Sequence, residues 1–293
     1  MARNMHKFEE LTPYEFDREK EKASIIYVAA GPMEYHEEFN ALGIDPCKAY
    51  AWCLAAAEIT GGIVYPMLPV APSGAYPSST KAQLQERMKS VKFGEYTRTP
   101  LLYPSVMTGA EVCKALYLEL LETFVLEHHF KLCVFFGGHG PAGDMIKHIV
   151  TEANPGMEKP VFGTHKTFFG DFQGMKVLAV GSLDYNIPYV AESYKEMNIA
   201  RIGHGGLWET AINYAINPDY FHPEYMDETR YPQHYGVLAE EMFEGCVRPV
   251  KSEIAKFTPE YAKKLYDHTV KNFAADVKEK YQSILDAEKE SGK

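Results

Sequence analysis

Five side chains of metal-ligand type stand in three short stretches of the chain: Glu34, His36 and Asp45, then His139, then Glu209. Glu34 and His36 are two residues apart, and an extended segment points residues at that spacing the same way. Asp45 opens a helix, where the positive end of the dipole favours an ionised carboxylate. A carboxylate can bridge two cations, and carboxylate with imidazole suits zinc, manganese or ferrous iron. His139 is set in Gly137-Gly138-His139-Gly140 after an apolar run, where flanking glycines give the backbone freedom. Glu209 follows a glycine-rich turn that holds His204, Gly205 and Gly206.

Each stretch also has a plainer reading: a charged surface loop, a tight strand-to-helix turn, or a glutamate capping a helix. Together they supply three carboxylates and two imidazoles, which fits a dinuclear site with cations about 3.5–4 Å apart. His204 is then left over as an acid or base. Tyr76, Ser78 and Trp208 are candidates for the substrate pocket.

The elements that must position these residues alternate along the chain. Ser24 to Ala30, Ile63 to Leu68, Leu132 to Phe136 and Val177 to Val180 read as buried strands. Lys48 to Ile59, Glu111 to His129 and about Asp144 to Ala153 read as helices, and Pro218 closes a short helix carrying Glu209. Strand and helix in repetition give an α/β fold with a mainly parallel sheet covered on both faces. Ligands bind beyond the carboxyl ends of such strands, which is where Glu34, His36 and His139 fall. The whole chain, 1–293, reads as one domain, with a polar inserted segment near 81–99 and an added helix over 259–290. That helix has an apolar face of Tyr261, Leu265, Tyr266, Val270 and Phe273, which must pack on the body or on another subunit.

Composition narrows the function. A net charge of -10 with dispersed acidic residues argues against a nucleic-acid partner and favours a small-molecule substrate. No apolar run is long enough for a membrane span, and the charged first 22 residues lack the core of a signal peptide. Five cysteines without a CxxC pair point to buried thiols in a reducing, cytoplasmic setting.

In order and spacing these stretches resemble the creatininase family of metal-dependent amidohydrolases. Glu34, His36 and Asp45 match its first motif, Gly137-Gly138-His139-Gly140 its second, and His204 with Glu209 and Thr210 its third. The resemblance implies a three-layer α/β/α sandwich, a dinuclear centre at the carboxyl edge and a homo-oligomer, commonly a hexamer. It also implies that Glu34, Asp45 and His139 hold one ion and His36, Asp45 and Glu209 the other, with His204 in proton transfer. The chain departs from the pattern at Glu37, where the family has glycine, and at Phe39, where it has a second histidine. Pro141 replaces a ligand glutamate of creatininase proper, which moves that role to Glu209 and counts against creatinine as substrate.

The reaction expected is hydrolysis of an amide-type C–N bond by water activated between two divalent cations, with His204 protonating the leaving nitrogen. Hydrolysis of a C–C bond in a cyclic diketone stays open, as does an isomerase or aldolase acting through an enolate. A non-catalytic oligomer fits less well, since structural zinc sites are usually rich in sulfur. Nucleotide binding is weaker still, because no G-x-G-x-x-G or P-loop pattern is present.

Overall fold

The computed structural model describes residues 3–72, 105–154, 156, 166–200, 202–226 and 251–292. Tyr76, Ser78 and the segment 81–99 lie outside the described residues. Within them, helix α1 (Pro13–Lys22) leads into strand β1 (Ile25–Ala30), helix α2 (Ile44–Thr60) and the short strand β2 (Ile63–Val64). Helix α3 (Ala110–Glu122) ends in a π-helical turn, Thr123–Glu127, before β3 (Leu132–Gly137) and α4 (Gly140–Glu152). A hairpin of β4 (Phe168–Phe172) and β5 (Met175–Gly181) precedes α5 (Ile187–Glu196) and α6 (Leu207–Ile216). A single turn, α7 (Lys251–Ile254), and the long α8 (Pro259–Ser291) complete the order.

The five strands form one sheet in the order β2-β1-β3-β5-β4, parallel except for β4. Every residue of β1 and β3 is buried, as expected of central parallel strands covered on both faces. Their alternation divides the core in two. Ile25, Tyr27, Ala29, Val134 and Phe136 face α2, α6 and α8; Ile26, Val28, Cys133 and Phe135 face α3 and α4. This is a three-layer α/β/α arrangement. The apolar side of α8 packs on the body: Phe273 sits edge-on to Tyr27 and Phe136, with ring centroids at 6.3 and 5.1 Å. Burying such a ring contributes about 1.5–3 kcal/mol.

Three features differ from the sequence expectation. Strand β2 is short, with Leu68 touching Ala30 only through an isolated bridge, and α2 starts at Ile44 and not at Lys48, which keeps Asp45 in its first turn as expected of a residue opening the helix. Strand β4 joins the sheet as an antiparallel edge through a Gln173-Gly174 turn, in which both residues have positive φ. Its alternation is interrupted by Gly170 and Asp171, which hid it.

Two glycines bring α2 against the strand ends. A Cβ on Gly31 would stand 2.7 Å from Pro46 N and 2.8 Å from Asp45 Cβ; one on Gly138 would stand 2.0 Å from the Asp45 carbonyl oxygen. Gly138 is therefore required by close approach, not by backbone freedom, since its φ is not positive.

In the turn after β5, Asp184 accepts the Gly181 N–H at 2.7 Å. Burial pushes its carboxyl up to about 6, against the pull of that hydrogen bond. A folded-state value above the unfolded one means that the folded protein binds the extra proton. Stability from this group therefore falls as pH rises through that window, by on the order of 2–3 kcal/mol.

Two outcomes follow. Gly138→Ala lowers stability to urea by about 1–3 kcal/mol or more, because backbone meets the new methyl; an unchanged midpoint contradicts the close approach. Asp184→Asn is more stable than the parent at about pH 7.5, by on the order of 2 kcal/mol, and the difference closes near pH 4. Parallel stability–pH curves for the two proteins would refute the burial argument.

Candidate metal centre

The loop after β1 carries Glu34 and His36, the first turn of α2 carries Asp45, and His139 occupies the position just before α4. Because β1 and β3 are neighbours, their carboxyl ends deliver these residues to one place. His139 Nδ1 lies 3.0 Å from Glu34 Oε2 and 3.5 Å from Asp45 Oδ2. Yet Glu34 Oε2, Asp45 Oδ2 and His139 Nε2 are buried atoms that make no hydrogen bond. An unsatisfied buried polar atom costs about 1–3 kcal/mol. Converging ligand-type groups with orphaned oxygens fit a divalent cation, which would satisfy the carboxylates together.

A second group adjoins the first through Asp45. His36 Nε2 stands 3.5 Å from both Asp45 Oδ1 and Glu209 Oε1. Its Nδ1 faces the Glu34 carbonyl at 3.1 Å, a contact that orients the ring with Nε2 toward the carboxylates. Glu209, in the first turn of α6, has both oxygens engaged. Oε2 accepts the Gly205 N–H at 2.7 Å, and Oε1 accepts from Lys48 at 2.7 Å. The glutamate thus does serve the turn before its helix, and it serves the charged cluster as well.

Lys48 is the residue that sequence reasoning passed over. It is fully buried, and its Nζ donates at 2.7 Å to Asp45 Oδ1 and to Glu209 Oε1. The Trp208 ring lies over the ammonium at 5.1 Å, within cation–π range. One signal was available. Lys48 shares a helix face with Asp45 and with Trp52, a core residue, and a lysine on an apolar face needs an anionic partner. Removing one member of such a buried ionic set costs about 3–5 kcal/mol.

The potential of the site is strongly negative. Burial would push the His139 imidazole down, but Glu34 and Asp45 outweigh it and take it up to about 10. His36 is likewise held well above its ordinary value, against burial, by Asp45 and Glu209. Burial would raise the carboxyls of Asp45 and Glu209; the charges of Lys48 and His36 hold both well below the usual range. Lys48 loses affinity for its proton through burial and regains more from the two carboxylates, so it stays a cation.

His204 behaves differently. Its ring stacks on His36 with centroids 4.1 Å apart, and Nε2 lies 2.8 Å from the Tyr35 carbonyl oxygen. Burial first, and then the neighbouring His36, push its pKa down and keep it neutral. With Nε2–H donated to the carbonyl, the lone pair is on Nδ1.

Trp208, expected at the substrate pocket, is buried, and its indole N–H donates to the Gly203 carbonyl at 3.1 Å. Its place is behind Lys48, in the wall of the charged cluster. The two departures in the first motif also have physical roles. Glu37 adopts φ 72°, the left-handed conformation that glycine takes without strain, and Phe39 packs edge-on to Phe221 in the core. Among the described residues, three sets have ligand atoms within 4.8 Å of one another: Glu34 with Asp45 and His139, His36 with Asp45 and Glu209, and Glu34 with His36 and His204.

Comparison with known proteins places the fold and the family. The creatininase family, described as creatinine amidohydrolase, matches residues 9–277. A creatinine amidohydrolase (creatininase) crystal structure superimposes with a TM-score of 0.62 at 16% identity, covering 94% of this chain and 98% of that one. A manganese creatininase gives 0.62 at 15% identity over 94% and 98% of the two chains. A variant creatininase of Zn-Zn type gives 0.61 at 16% identity over 96% and 99%. Identities this low speak for the fold alone, and no curated protein matches the sequence. The family match spans nearly the whole chain and includes every residue of the charged cluster: the chain belongs to the creatininase family of metal-dependent amidohydrolases.

Proposed function

We propose that the protein hydrolyses an amide-type C–N bond, in a cyclic amide or a formamide, using water and a divalent cation of the zinc, manganese or iron class. The observation that carries this reading is the set of orphaned buried atoms on Glu34, Asp45 and His139. When bound there, a cation supplies Lewis acidity for the scissile carbonyl and acidifies a water molecule. The second expected set, His36 with Asp45 and Glu209, already encloses a positive charge, the Lys48 ammonium.

The chain's own residues supply the proton chemistry. His204 is neutral and holds its lone pair on Nδ1, so it begins as a proton acceptor. It takes the proton from the attacking water and returns it to the leaving nitrogen, serving first as base and then as acid. Stacking on His36 and the contact with the Tyr35 carbonyl fix the plane of its ring, so that transfer needs no reorientation. Tyr76 and Ser78 belong to this reading as substrate contacts. It also includes a cytoplasmic homo-oligomer, hexameric in the family's pattern, which sedimentation of the full chain tests. Among the described residues no helix is long and apolar enough to cross a membrane.

Protein stripped of metal and reloaded with zinc or manganese is expected to turn over members of a panel of cyclic amides and formamides, with oxygen-18 from labelled water entering the product. His204→Ala keeps its metal and loses about 10²–10⁴-fold in turnover. The reading fails if the reloaded protein holds less than one equivalent per chain. It fails equally if the product carries no label, or if the variant turns over at the parental rate.

A further inference from the structure

The two halves of the charged cluster differ in what they leave unsatisfied. On the Glu34 and His139 side, Glu34 Oε2 and Asp45 Oδ2 make no hydrogen bond and face the His139 ring, with Nδ1 at 3.0 and 3.5 Å, itself a ligand-type group. On the other side Asp45 Oδ1 and Glu209 Oε1 each accept from Lys48 Nζ at 2.7 Å, while Glu209 Oε2 accepts the Gly205 N–H. Asp45 therefore does bridge two positive positions, and one of them is already filled by the protein.

We infer that Lys48 is a built-in replacement for the second cation, so that the centre binds a single divalent ion, held by Glu34, Asp45 and His139. This rests on the proposed metal-dependent reading and specifies its stoichiometry.

Charge balance supports it. Glu34, Asp45 and Glu209 can supply at most three negative charges, and one divalent ion with the Lys48 ammonium already equals that number before the cluster's imidazoles are counted. A second divalent ion would leave the buried cluster strongly positive, which a low-dielectric interior penalises. Geometry supports it too. An ion among His36 Nε2, Asp45 Oδ1 and Glu209 Oε1 would bind at about 2.0–2.2 Å from the same oxygens that Lys48 engages, which puts it within about 5 Å of the ammonium. The ammonium has no free route aside, since Lys48 is fully buried with the Trp208 ring over its head group. In place of the missing ion, the lysine holds Asp45 and Glu209 together and keeps Asp45 Oδ2 aimed at the open set. Lys48 is on this account a positioning residue.

The test is a metal count with a spectroscopic readout. The full-length protein is loaded with excess manganese(II), desalted, and measured by elemental analysis and electron paramagnetic resonance. The expected result is about one ion per chain with the hyperfine pattern of an isolated ion. Lys48→Met removes the ammonium, leaves the His36, Asp45 and Glu209 set uncompensated, and is expected to double the count and give the exchange-coupled spectrum of an adjacent pair. If the parent already binds two ions with a coupled spectrum, the inference is overturned while the amidohydrolase reading stands. If the parent binds none, both fall. Should Lys48→Met not fold, the parent's count and spectrum decide alone. A folded Lys48→Met protein that still binds one isolated ion also overturns it.

Discussion

Three carboxylates, Glu34, Asp45 and Glu209, meet in one buried cluster, and ionised groups removed from water persist only where positive charge compensates them. That requirement organises the centre of this protein. Lys48 meets it on one side with two short hydrogen bonds; on the other, Glu34 Oε2 and Asp45 Oδ2 make no hydrogen bond and face the His139 ring at 3.0 and 3.5 Å. The carboxylates draw His36 and His139 toward protonation, while at His204 burial and the neighbouring His36 outweigh their pull. On the proposed function, that difference separates the groups that would bind a cation from the one that would carry a proton.

The fold delivers the cluster by a close approach of backbone. The N-terminal turn of α2 is pressed against the ends of β1 and β3, and it reaches them because Gly31 and Gly138 have no side chain there. Asp45 is thereby placed between a loop from β1 and a turn from β3, while α6 brings Glu209 from the far side of the same helix. The dipole of α2 adds to the stabilisation of Asp45, which lies in its first turn. Helix α8, charged on its outer face, buries Phe273 against Tyr27 and Phe136 and closes the layer that holds α2 and α6 in place.

Membership of the creatininase family sets the chemistry in outline, and the chain's departures show how a shared scaffold is altered. Pro141 lies in the first turn of α4, and the carboxylate of Glu209 on α6 meets the Lys48 ammonium from α2. Glu37 has φ 72°, a left-handed backbone in which glycine is the residue free of strain.

Much of this was legible in the linear chain. The alternating buried strands, the placement of chemistry at their carboxyl ends and the grouping of Glu34, His36, Asp45, His139 and Glu209 follow from periodicity and motif order, because those signals are local. The β4 edge was not legible, since Gly170 and Asp171 break its alternation and only pairing with β5 makes it a strand. Nor was the packing of Trp208 against the Lys48 ammonium, which only the tertiary fold creates. Lys48 is the clearest case. Its position in a helix can be read from sequence, but its partnership with Glu209, 161 residues away, exists only once α6 crosses α2. A lone residue's type states what charge it carries; tertiary packing alone decides which opposite charges it must satisfy, because the cost of burial falls on whatever the fold brings together.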